Sequence, residues 1–175
     1  MLGGTRSGKS VVAEEWIARR AHGLEVTYLA TAVVHPSDTD HAARVHAHQQ
    51  RRPQHWVTLE PSAEPDAGWD LAQMLSSVTG PVLLDSLGTW VAGHHDGADG
   101  FDIDTAGMLA ALRDRTGDTV VVSEEVGMSV HAPTAAGRRY ADVLGLLNQR
   151  VASLADQSVL VVAGRILPLV AEPPW

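Results

Sequence analysis

The sequence predicts an α/β fold, with a mostly parallel sheet and helices on both faces. Two observations carry that expectation. Four short, continuous apolar runs rich in β-branched residues alternate with segments of helical spacing. A glycine-rich stretch, Gly3-Gly4-Thr5-Arg6-Ser7-Gly8-Lys9-Ser10, opens directly onto the first of those helical segments. A phosphate-binding loop joins strand to helix in this way, which places the chain among P-loop NTPase-like folds of the RecA-like arrangement.

Taken in order, the first strand is the anomaly. A phosphate loop should follow a strand, yet only Met1 and Leu2 precede Gly3, so that strand is expected to be truncated or to start upstream of the sequence as given. A helix is expected over residues 10–21, opening on the loop. Residues 26–32, 82–85, 119–123 and 158–163 read as buried strands. Between them, residues 40–50 have Ala43, Val45 and Ala47 among polar neighbours, and residues 68–77 make a short helix. Residues 105–115 form an amphipathic helix, and residues 138–154 place Val143, Leu146, Leu147, Val151 and Leu154 at helical spacing. Residues 61–68 and 93–104 are loops rich in Gly, Pro, Asp and Ser. The tail at 172–175 holds paired prolines and is an arm or a frayed end. With no internal repeat and no dividing linker, residues 1–175 read as a single nucleotide-binding domain.

At 175 residues and 45% apolar composition, the chain is long enough to bury a core and too apolar for disorder. No apolar run approaches the roughly 18 residues of a membrane span. No stretch before the glycines has room for a signal peptide, and cysteine is absent. A soluble, cytoplasmic protein is the expectation. The formal charge of −8, with no basic stripe, argues against a nucleic-acid partner. Twelve of the thirteen basic residues are arginine, and Lys9 is the one lysine. A lysine kept against such a bias belongs where a compact ammonium fits between phosphate oxygens and a planar guanidinium does not.

Gly3-x-x-x-x-Gly8-Lys9-Ser10 satisfies every specified position of the phosphate-loop pattern. Its backbone N–H groups line one concavity, Lys9 reaches the β- and γ-phosphates, and Ser10 offers a hydroxyl to Mg²⁺. Asp85 ends an apolar strand, where P-loop proteins hold the same metal through water. Five of the nine histidines lie between His35 and His55. His46 and His48 sit two apart and face different ways on a helix, which disfavours a zinc pair. His41, Arg44 and His48 share one face. From the residues alone, that face is either solvated or a nucleophilic histidine set among cations near a triphosphate. Glu124 and Glu125 close the strand before Val126-Gly127, and Arg138-Arg139 lead a helix. Ligand contacts and surface ion pairs both remain open for these two pairs.

Together these residues resemble the bifunctional adenosylcobinamide kinase / adenosylcobinamide-phosphate guanylyltransferase family. The likeness runs through Gly-Gly-x-Arg-Ser-Gly-Lys-Ser, Tyr28-Leu29-Ala30-Thr31-Ala32 and Arg44-Val45-x-x-His48-x-x-x-Arg52-Pro53-x-x-Trp56-x-Thr58-x-Glu60. It continues through Leu83-Leu84-Asp85, Glu125-Val126-Gly127-Met128 and Asn148-Gln149, nearly the whole chain. The resemblance implies that ATP or GTP phosphorylates the aminopropanol hydroxyl of adenosylcobinamide. GTP then gives GMP to a histidine, which passes it to the phosphorylated corrinoid, yielding adenosyl-GDP-cobinamide. It implies His48 as the guanylylated residue, with Lys9 beside it in catalysis. Nucleotide contacts would fall on Gly3 through Ser10, on Ala30, Thr31 and Ala32, on Gln49, Gln50, Arg51 and Arg52, and on Glu60 and Asp85. Mg²⁺ would sit at Ser10 and Asp85, and the chain would be a homo-oligomer, a trimer in relatives. The chain departs from the family pattern at Gln49, where a basic residue is frequent, at Glu124, where Asn is common, and at Ala141, where Arg is common. Ala141 leaves one cation fewer for phosphate. The competing readings are a P-loop kinase for another small alcohol and a nucleotide-binding regulator without guanylyl transfer.

Overall fold

The structure is a computed structural model that describes residues 1–33, 39–61, 69–94, 103–128, 130 and 132–171, without the side chains of residues 39–41 and 44. Along the chain the elements are β1 (Leu2–Gly3), α1 (Lys9–Arg20), β2 (Thr27–Ala30), α2 (Thr39–Arg51), β3 (Val57–Leu59), α3 (Leu71–Ser77) and β4 (Val82–Asp85). They continue with α4 (Leu87–Gly93), α5 (Thr105–Asp114), β5 (Thr119–Glu124), α6 (Ala135–Leu154), β6 (Ser158–Val162) and β7 (Arg165–Leu169). The strands form one sheet in the order β3-β2-β4-β5-β1-β6-β7. Every pairing is parallel except that of β7, which runs antiparallel to β6 along the edge.

Side-chain alternation along the central strands sorts the core onto two faces. Tyr28, Ala30, Leu83, Val120 and Val122 pack with Ala13 and Ile17 of α1 and with Ala21, which caps its carboxyl end. Leu29, Val82 and Leu84 point the other way, into a larger cluster with Leu71 and Leu75 of α3, Trp90 and Val91 of α4, Met108 and Leu109 of α5, and Leu144 and Leu147 of α6. Helices therefore cover both faces, as the alternating pattern predicts.

β1 is a strand, though only two residues long: Leu2 lies across from Ser123 of β5 and Leu160 of β6, and Gly3 from Glu124 and Val161. Below it, among the described residues, no strand lies between β5 and β6. A cavity of about 690 Å³ opens there, with Met1, Leu2, Val121, Ser158 and Val159 in its wall. The Met1 ammonium donates to the Val121 carbonyl at 2.7 Å, and burial lowers its pKa to about 6.

Three other elements were not legible as periodic runs. β3 is an edge strand with Val57 and Thr58 exposed. α4 is only seven residues long and apolar on several sides, because it is wedged between β5 and α6. β7 is an exposed edge strand that includes Pro168, whose missing N–H costs nothing at an edge. Side-chain caps set the starts of α3, α5 and α6. Asp70 accepts from Ala72 and Gln73 N–H, and Asp104 accepts from Gly107 N–H. Thr134 accepts from Gly137 N–H, so α6 begins three residues before the expected Arg138. Residues 62–68, 95–102 and 172–175, which fall in the expected loops and arm, lie outside the described residues.

Candidate active site

β1 delivers the chain to the carboxyl edge of the sheet, and the glycine-rich loop turns there into α1. A Cβ on Gly3 would sit 2.5 Å from Ser7 Oγ and 2.8 Å from the Val161 carbonyl, so the loop can fold back only over glycine. Gly8 caps α1 in the left-handed region (φ 91°) with no side-chain cap. That leaves the amino end of α1, with its partial positive charge, available to an anion. The turn between β6 and β7 braces the loop from outside, Gly164 N–H donating to the Ser7 carbonyl at 2.7 Å. Gly4, Thr5 and Arg6 are exposed, Ser7, Gly8 and Lys9 half-buried, and Ser10 buried.

Beside the loop, β4 ends on Asp85. Its side chain lies on the α1 face, following the alternation that puts Leu83 there. Burial pushes the Asp85 carboxyl upward, but the donor groups of His48, Tyr28 and Ser10, with the His48 charge, outweigh it and hold the pKa below the usual carboxylate value. Tyr28 donates to Oδ2 at 2.6 Å. Burial, then the neighbouring Asp85, pushes the Tyr28 phenol well above its ordinary range, so it remains a donor. His48 Nδ1 lies 3.7 Å from the same Oδ2. One carboxylate thus responds to both the loop serine and the α2 histidine. Ser10 and Asp85 side by side are hard oxygen donors of the kind Mg²⁺ takes, with phosphate oxygens completing its shell. Among the described residues no group of three or more His, Asp or Glu gathers to hold an ion on its own.

α2 is held over the loop by its last turn and by the segment that leads from it into β3. Arg51 reaches Glu14 of α1 at 3.2 Å. Gln49 donates to both Glu60 oxygens at 3.3 and 3.2 Å, and Arg52 pairs with the same carboxylate. The Arg52 guanidinium also lies 4.2 Å from the centre of the Tyr28 ring, a cation–π contact. Its Nε is buried without a hydrogen-bond partner, an unmet donor that a ligand oxygen would satisfy. Next to it is an open cavity of about 460 Å³ lined by Gln49, Arg52, Pro53, Gln54, Trp56, Thr58 and Glu60. Gln50 turns away to His46 at 3.0 Å.

The structure brings together the loop, Asp85, His48, Gln49, Arg51, Arg52 and Glu60. Ala30 and Thr31 are buried at the end of β2, with Ala32 half-buried beyond them. The Thr31 hydroxyl is committed to the protein, bonding the Ser86 carbonyl and Thr89 Oγ1 at 2.6 Å each. The side chains of His41 and Arg44 lie outside those described. The sequence reading missed Tyr28 as a site residue, although it stood in a matched motif, because a tyrosine in an apolar strand carries no separate signal. It left Glu124 open between a ligand contact and a surface ion pair, and it did not name Ser86; the structure places both on the other side of Lys9. Glu124 Oε1 is 3.5 Å from Lys9 Nζ, and Ser86 Oγ donates to both Glu124 oxygens at 3.0 Å. Asn148 of α6 holds the strand end, donating to the Glu124 carbonyl and accepting from Ser123 Oγ.

Residues 1–169 match the family described as cobinamide kinase / cobinamide phosphate guanyltransferase. The bifunctional adenosylcobalamin biosynthesis protein CobP of Pseudomonas aeruginosa is 36% identical over 178 residues, covering 99% of this chain and 97% of its own. The bifunctional adenosylcobalamin biosynthesis proteins CobU of Salmonella typhimurium and Escherichia coli are 33% identical over 178 residues and 31% over 183, each covering 94% of both chains.

Proposed function

The chain belongs to the cobinamide kinase / cobinamide phosphate guanyltransferase family, and on that premise we propose that residues 1–169, within one domain of residues 1–175, run two reactions at a single nucleotide site. In the first, the γ-phosphoryl group of ATP or GTP passes to the aminopropanol hydroxyl of adenosylcobinamide. In the second, His48 takes GMP from GTP, releasing pyrophosphate, and passes it to adenosylcobinamide phosphate to give adenosyl-GDP-cobinamide.

The observation that carries this reading is the Asp85 carboxylate, which lies 3.7 Å from His48 Nδ1 and is held below the usual carboxylate pKa by His48, Tyr28 and Ser10, the residue after Lys9. An imidazole on α2 is thereby tied to the loop that would hold the triphosphate. His48 forms a bond to the α-phosphorus as the bond to the pyrophosphate oxygen breaks, and Lys9 with the uncapped amino end of α1 receives the negative charge that leaves. With Asp85 facing Nδ1, the other ring nitrogen is left for attack. Mg²⁺ between Ser10, Asp85 and the phosphates would neutralise part of that charge. Glu60, fixed by Gln49 and Arg52, offers an acceptor suited to the 2-amino group of guanine.

The corrinoid is the acceptor, and no helix among the described residues is long and apolar enough to cross a membrane. A cytoplasmic, trimeric enzyme is part of the proposal. The exposed apolar side chains of Val162, Ile166, Leu167 and Leu169 on the β6–β7 edge supply a surface for association.

The test is α-labelled GTP with Mg²⁺. A phosphoramidate on imidazole is lost in acid and survives alkali, so the wild-type protein should retain label with that profile, and γ-labelled GTP should leave none by this route. His48→Ala should lose the label while still phosphorylating cobinamide, and His46→Ala, whose ring bonds Gln50 instead, should keep it. Label that moves with His46 relocates the nucleophile. Absence of label in the wild type leaves a kinase or a nucleotide-binding regulator.

A further inference from the structure

The end of β4 sends two consecutive side chains in opposite directions. Asp85 goes to His48 and Tyr28, whereas Ser86 goes to Glu124. Lys9 lies at the junction, next in sequence to the Ser10 that helps lower the Asp85 pKa, with its own ammonium 3.5 Å from Glu124. The proposed guanylyl step uses the Asp85 side. Nothing in that step uses Glu124, yet its side chain is partly open to solvent, at 24% exposure, with its carboxylate within reach of the group that would hold the γ-phosphate.

The surroundings are built around that carboxylate. Ser86 Oγ donates to both of its oxygens at 3.0 Å. A Cβ on Gly88 would fall 1.9 Å from Glu124 Oε2 and 2.7 Å from the Tyr140 hydroxyl, so glycine at the start of α4 leaves the space these groups occupy. Burial first, and then the Glu124 charge, raises the Tyr140 phenol above its ordinary range. The phenol therefore stays protonated and cannot itself take a proton near neutral pH. Among the described residues on this side of Lys9, the Glu124 carboxylate is the acceptor that pairs with its ammonium.

We propose that Glu124 is the general base of the phosphoryl-transfer reaction, accepting the proton of the acceptor alcohol beside the γ-phosphate held by Lys9. The proposal rests on the two-reaction reading above and assigns the residue that serves its first half. The alcohol O–H bond breaks and its proton passes to the Glu124 carboxylate. The alcohol oxygen bonds the γ-phosphorus, and the bond from that phosphorus to the bridging oxygen breaks, its electron pair leaving with the nucleoside diphosphate. The two chemistries divide across the site: Asp85 and His48 act at the α-phosphorus, and Ser86 and Glu124 at the γ-phosphorus.

The experiment compares wild type, Glu124→Gln and Glu124→Asp in two assays run on the same preparations: transfer of γ-label from ATP or GTP to cobinamide, and retention of α-label from GTP on the protein. Glu124→Gln should lower kcat for phosphoryl transfer by about 100-fold or more, within the range for removing a general base. Its nucleotide KM should stay level or fall, because a negative charge beside Lys9 is gone, and its α-label should match wild type. Glu124→Asp should recover part of the lost kcat, because it restores a carboxylate. Wild-type phosphoryl transfer in Glu124→Gln overturns the proposal. So does joint loss of both labels, which would make Glu124 a support for Lys9 and not a base. If the wild type retains α-label but never phosphorylates cobinamide, the two-reaction reading itself fails, and the proposal with it.

Discussion

Tyr28→Phe deletes one oxygen and keeps the ring, and the structure says what that oxygen does. It donates to Asp85 Oδ2 at 2.6 Å from a fully buried position, while the ring stays under the Arg52 guanidinium and against Trp56. A hydrogen bond to a charged acceptor contributes about 1.5–3 kcal/mol, and the ring contacts survive, so a loss of about 2 kcal/mol is expected. For a domain of this size that corresponds to a Tm lower by about 4–8 °C. The pH dependence separates this bond from general loosening. Asp85 has a folded pKa below its unfolded value, so its stabilisation is complete above about 3.8 and is lost as pH falls through the lower, folded pKa. The variant lacks one of the donors that hold that pKa down. Its deficit should be full at pH 7 and narrow only below about 3.8, as the pH falls through the lowered folded pKa and the carboxylate becomes neutral. Denaturant unfolding of the two proteins at a series of pH values measures this directly. A deficit that is unchanged across the series would show that Tyr28 acts by packing and that the reasoning about Asp85 is wrong.

The same geometry sets two further outcomes. Lys9→Ala should slow both proposed reactions by on the order of 100-fold or more, and Lys9→Arg should restore little. The Lys9 side chain is only 13% exposed, with its ammonium beside Glu124, which leaves poor room for a guanidinium; near-normal turnover of Lys9→Arg, measured with γ-labelled nucleotide, would refute that. Adding four apolar β-branched residues in front of Met1 should extend β1 between β5 and β6, fill the cavity beneath it and raise Tm by on the order of 5 °C. An unchanged melting curve would mean that the groove does not accept a strand.

The sequence by itself determined the parts of this protein whose physics is local. Continuous β-branched runs announced β2, β4, β5 and β6, and helical spacing announced the helices that cover them. The phosphate loop was legible because a glycine requirement, a lysine and a hydroxyl must come at set intervals for backbone N–H groups to converge on an anion. Elements that draw their stability from neighbours gave no such signal. β3 and β7 are short edge strands with exposed side chains, and α4 owes its helical turns to burial and to the capping box of Ser86 and Thr89. Within the site, motif likeness pointed to His48 and Asp85 separately, but nothing in their spacing puts them 3.7 Å apart. That distance depends on β2 lying beside β4, which carries Tyr28 to Asp85, and on Arg51 and Arg52 tying α2 to Glu14 and Glu60. The role of Glu124 was likewise open in the sequence, where a carboxylate at a strand end suits solvent as well as a ligand. Its position became definite only when β5 took its place between β4 and β1, because sheet order sets which strand ends meet across the loop.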